Sequence, residues 1–108
     1  MNDMQTIQDD IGEWGKRTFS HDFESRLGVM SHLEKEVDEL KDAVLHPDFK
    51  GVAEECADVF ILMCSLGALF KFSLVREVEK KMEINRSRKW GKPDANGVIE
   101  HLPTEVSK

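Results

Sequence analysis

The stretch HLEKEVDEL, residues 32–40, sets four carboxylates among nine residues while keeping its apolar positions at helical spacing. Leu33, Val37 and Leu40 continue a row that begins at Leu27 and Met30 and ends at Val44, in steps of three and four residues. Steps of that kind put side chains on one helical face, so the spacing predicts an amphipathic helix over about Phe23–Leu45. A second stretch, EECADVFILM at residues 54–63, repeats the combination. Val52, Cys56, Val59, Met63, Leu66 and Phe70 share a face there, and Val59–Leu62 is apolar all round. The helix expected over about Phe49–Phe70 should therefore be the most buried one.

Working outward, His46-Pro47-Asp48 separates these two helices, and Asp48 is placed to cap the second. Upstream, Ile7, Ile11 and Trp14 mark a helix over about Met4–Arg17, weakened by Gly12 and Gly15 and followed by a polar break at residues 20–22. Downstream, Ser73 can cap a fourth helix carrying Leu74, Val78 and Met82 and reaching about Trp90. Residues 91–108 hold turn chemistry at Pro93-Asp94 and Asn96-Gly97. An irregular C-terminal arm, lying on the bundle or on a neighbouring subunit, is expected there rather than a hairpin. The prediction is a single all-α domain over residues 1–108: a four-helix bundle over about 4–90, with consecutive helices antiparallel, and the arm over 91–108.

The totals narrow the function. A chain of 108 residues has room for one core, and 40% hydrophobic content suffices to pack it. Fifteen basic against 21 acidic side chains give a net charge of −6, the wrong sign for gripping a nucleic acid polymer. A small phosphorylated ligand stays open, since a divalent cation can bridge carboxylates to phosphate. No apolar run approaches the roughly 20 residues that span a membrane, and the N-terminus lacks the basic start and apolar block of a signal peptide. Cys56 and Cys64 are expected on one helix about 12 Å apart in rise, beyond the roughly 7 Å reach of a disulfide. They read as buried thiols of a cytoplasmic protein.

Glu36 and Glu39 stand three residues apart at the rim of one expected buried face, and Glu55 and Asp58 do the same on the next helix. Folding the hairpin about Pro47 brings the four level with one another. A glutamate pair on a helix is ordinarily a solvated flank; two pairs in register across an interface repel unless protonated or neutralised by a cation. All-oxygen ligands favour a hard ion, Mg2+ first and Mn2+ second. Di-iron bundles use Glu-x-x-His pairs, and none occurs within the four helices.

The combination of EVDEL, EECADV and KMEINRSRKWG resembles the MazG-like all-α nucleoside triphosphate pyrophosphohydrolases, and the tail NRSRKWGKPDANGVIEHL with HLEKEVDEL looks closest to the dATP/dGTP pyrophosphohydrolase branch. The resemblance covers about Trp14–Leu102. It implies that Glu36, Glu39, Glu55 and Asp58 bind Mg2+, and that water cleaves a nucleoside triphosphate between the α and β phosphates to the monophosphate and pyrophosphate. It also implies that Lys81, Asn85 and Arg88, matching K-x-x-x-N-x-x-R, contact phosphate, and that Trp14 and Phe19 lie where the family places base contacts. Glu36 or Glu39 is the candidate general base. His32 either touches substrate or hydrogen-bonds Glu36.

Phe60, Ile61, Leu69 and Phe72 have no obvious place inside one hairpin, and family members assemble, so a homodimer or homotetramer is expected. The alternatives are the same reaction on dCTP or dUTP, and a non-catalytic helical interaction module whose acidic cluster binds a structural ion or a basic partner.

Overall fold

In a computed structural model, the structure describes residues 3–18, 23–46 and 48–103, with no side-chain description for residues 23–25. Four α-helices follow in order: α1 (Asp3–Thr18), α2 (Phe23–Leu45), α3 (Phe49–Phe70) and α4 (Leu74–Ser87). Their limits match the periodicity closely, except that α4 ends at Ser87, short of Trp90. The chain parts into two compact units, residues 1–75 and 76–108.

In the first unit α3 is the central element, as its composition predicts: Leu62, Cys64, Gly67 and Leu69 are its buried residues. Asp48 caps it in an extended conformation, its Oδ1 accepting from the Gly51 N–H at 3.1 Å. Lys71 closes the other end in the left-handed conformation at φ 60°. α2 and α1 both pack on α3, and among the described residues they make no contact with each other. The α2–α3 pairing is antiparallel: Arg26 stacks on the Phe70 ring at 4.8 Å, while a Cβ on Gly51 would stand 3.6 Å from Ala43 Cβ.

α1 is fixed to the far end of α3 by Gln8, a buried polar side chain. Its Nε2 donates to the Phe72 carbonyl and its Oε1 accepts from the Leu74 N–H, both at 2.8 Å. The start of α4 thus has one of its backbone donors satisfied from α1, beside a Ser73 hydroxyl that donates to Gln5 Oε1. Gly67 makes room for this junction, since a Cβ there would stand 2.8 Å from Gln8 Nε2.

The inward face of α2 differs from the one the apolar row predicts. Its half-buried residues are Arg26, Val29, Leu33, Glu36, Leu40 and Ala43, again in steps of three and four. Leu27, Met30, Val37 and Val44 are exposed. Ala43 meets α3 at Gly51, a glycine that leaves room for the approach. Cys56 is also exposed rather than buried.

The second unit holds most of α4 and the C-terminal arm. The arm has no named strand among the described residues, in keeping with the irregular course expected, and it doubles back on itself. Gly91 N–H donates to the Glu100 carbonyl and Leu102 N–H to that of Lys89, around an isolated antiparallel bridge between Trp90 and His101. Asp94 organises the bend: its Oδ1 accepts from the Asn96 and Val98 N–H groups, and Gly97 takes φ 80°. This is the side-chain-to-backbone turn that Asp favours, with Gly at the position of positive φ.

Candidate functional site: a carboxylate cluster beside an apolar cleft

The rotated face of α2 carries Glu36 into the α2–α3 interface, where it meets Glu55, half-buried on the facing side of α3. Glu36, Glu39 and Glu55 each offer a carboxylate oxygen within 4.8 Å of the others. Glu36 and Glu55 therefore lie within the packed face and not at its rim, while Glu39 is exposed. Asp58, one turn further along α3, stands outside this trio and is exposed. It still lines the same cleft as Glu36 and adds its charge to the field at Glu55.

The electrostatic consequence is direct. Contact with Glu36, loss of hydration and the charges of Glu36, Glu39 and Asp58 push the Glu55 carboxyl up to about 7. Glu36 moves the other way: contact with Glu55 holds it below the ordinary carboxylate value, against desolvation, with Glu39 and His32 assisting. His32 Nε2 lies 3.2 Å from Glu36 Oε1, so the hydrogen-bonding reading of His32 is met. Glu36 Oε2 and Glu55 Oε2 are both buried without a hydrogen-bond partner among the described residues. Two converging acceptors with no donor suit a cation, and the all-oxygen set suits a hard divalent one.

A cleft of about 490 Å³ opens beside the cluster, in the gap that α1 and α2 leave over α3. Trp14, which is 47% exposed and so not a core residue, lines it from α1; His32 and Glu36 line it from α2, and Ile61 and Leu69 from α3. Trp14 and His32 thus share one cavity, as base contacts would. Phe19 lies outside the described residues.

Lys81 and Asn85 occupy one face of α4, both in the second unit. Arg88 follows the helix instead of belonging to it. Its N–H donates to the Asn85 carbonyl and its guanidinium lies 3.5 Å from His101 Nδ1. Trp90 Nε1 donates to that same Asn85 carbonyl, and its ring meets His101 edge-on, so Trp90 anchors the arm. The inward position of Glu36 was not legible from the apolar row, because only Leu33 and Leu40 of that row turn inward while Leu27, Met30, Val37 and Val44 face outward.

A helical unit with a carboxylate cluster at the mouth of an apolar cleft has the donor set for a hard divalent cation beside room for a small molecule. The chain belongs to the dATP/dGTP pyrophosphohydrolase family, whose pattern it matches over residues 7–107. Over 49 residues, 45% of the chain, it is 39% identical to a dATP/dGTP diphosphohydrolase of cyanophage S-2L, and that match spans 46% of the relative's length. Its fold is similar to that of a solved cyanophage S-2L MazG-like pyrophosphohydrolase bound to dGDP and three catalytic Mn2+ ions per active site. The TM-score is 0.68 and the identity 27%, over 94% of this chain and 95% of that one.

The raised Glu55 gives the cluster a pH signature. Without a cation, the folded chain holds a proton here that the unfolded chain releases above about 4.5, so this stabilisation is present at low pH and is lost as pH rises through about 7. A cation must displace that proton, so the rise in melting temperature on adding Mn2+ should be larger at pH 8 than at pH 6. Thermal melts with Mn2+ and with chelator check this; a shift that is equal at both values, or larger at pH 6, contradicts it.

Proposed function

We propose that the chain is a divalent-metal-dependent pyrophosphohydrolase that converts dATP and dGTP to the monophosphate and pyrophosphate. The convergence of Glu36, Glu39 and Glu55, with two buried oxygens lacking donors, carries this reading. These three, with Asp58 as a fourth, would hold Mg2+ or Mn2+. When bound, such cations neutralise phosphate oxygens and make an attacking water more acidic. Glu36, held ionised and hydrogen-bonded to His32, serves as a fixed ligand. Glu39, the exposed member, is the better placed of the two candidates to take the proton of the attacking water. Lys81, Asn85 and Arg88 are the residues that the family resemblance assigns to phosphate, and the cleft beside Trp14 and His32 takes the base.

The family match favours purine substrates over dCTP and dUTP. Incubating the full chain with each dNTP and Mn2+ or Mg2+ should release pyrophosphate from dATP and dGTP. Glu36→Gln, Glu39→Gln and Glu55→Gln should each lose about a hundredfold or more, the scale of removing one charge-stabilising group, and Asp58→Asn should also lose activity with its helicity intact. Release from pyrimidines alone would favour the alternative substrates. No turnover of any nucleotide, by wild type and variants alike, would favour the interaction module.

We also propose that the chain assembles as a homodimer or homotetramer through α2. Met30, Val37 and Val44 recur every seven residues on its outward side and are 43%, 46% and 58% exposed. That row is the seam along which a second helix packs. Light scattering should find an oligomer for the wild type and a monomer for Val37→Glu; a monomeric wild type at micromolar concentration contradicts the assembly.

A further inference from the structure

Three glycines line the apolar cleft: Gly12 and Gly15 on α1, and Gly28 on α2. Glycine inside a helix is less stable than alanine, so each needs a reason. Gly12 has one in packing, because a Cβ there would stand 3.2 Å from Ala68 Cβ, where α1 crosses α3. Among the described residues Gly15 and Gly28 have none: a Cβ on either would meet nothing within 4 Å. Both open instead onto the cavity between α1 and α2.

We propose that Gly15 and Gly28 set the width of this cleft and thereby its preference for a bicyclic purine over a monocyclic pyrimidine, an inference that rests on the nucleotide reading above. The cavity volume lies within the roughly 300–1,000 Å³ of small-molecule sites, and the walls are predominantly apolar. Trp14 supplies an aromatic ring and Ser65 a hydroxyl, the latter already donating to the Ile61 carbonyl. Glu36 and Asp58 line the same cleft, so a nucleotide with its phosphates at the carboxylates has its base between the two helices. A side chain at residue 15 or 28 would project into the space that the second ring of a purine fills. A pyrimidine leaves that space empty. Bulk at these positions therefore penalises the larger base selectively, whereas loss of a phosphate or cation contact would penalise both alike.

The test is titration calorimetry of dGMP and dCMP, in Mn2+, against wild type, Gly28→Val, Gly15→Val and the milder Gly28→Ala. Each valine variant should weaken dGMP by about tenfold or more and dCMP by less than about threefold, the scale on which a hydrophobic pocket discriminates by size. Gly28→Ala should change in the same direction by less, with a melting temperature at or above that of wild type. Equal weakening of both ligands, or none of either, overturns the width assignment while leaving the nucleotide reading in place. A wild type that binds neither monophosphate and hydrolyses no dNTP overturns both.

Discussion

Carboxylates drawn together inside a helix interface repel, and the α2–α3 pairing of this chain depends on how that repulsion is offset. Glu36 and Glu55 come from opposite helices, both half-buried, with Glu39 alongside and Asp58 adding its charge. Without a cation, Glu55 keeps a proton up to about pH 7 while Glu36 stays charged. A divalent cation replaces that proton with a larger charge and gives the two donorless oxygens a partner. Packing that would be a defect in a purely structural bundle is thereby suited to binding phosphate.

The scaffold around this pair serves to hold it open to solvent on one side. α3 carries the buried residues, and α1 is tied to its far end through Gln8. Because among the described residues α1 and α2 each rest on α3 and not on each other, a cleft remains between them. Under the proposed function its apolar walls would take the base and its acidic end the phosphates.

Helix existence, order and most boundaries were legible in the spacing of apolar residues, and the Asp48 cap in its position before Phe49. The convergence of Glu36, Glu39 and Glu55 was legible too, from their distances about Pro47, whereas Asp58, expected level with them, stands outside the trio. Which face of α2 turns inward was not. The row Leu27, Met30, Leu33, Val37, Leu40 and Val44 reads as core, but only Leu33 and Leu40 turn inward, together with Val29, Glu36 and Ala43. Apolar periodicity reports that a face is covered, without saying whether its own chain or another covers it. The irregular arm was legible from its turn residues, but not the reversal that Asp94 and Gly97 fix through local hydrogen bonds.

Anomalous diffraction from crystals grown with Mn2+ would locate the cation. At least one Mn2+ peak should lie within coordinating distance of carboxylate oxygens from Glu36, Glu39 and Glu55, with one ion touching both helices. Ordered crystals with Mn2+ peaks only elsewhere, and Glu36 and Glu55 still in contact without an ion, would rule out a cation as the group that offsets their repulsion.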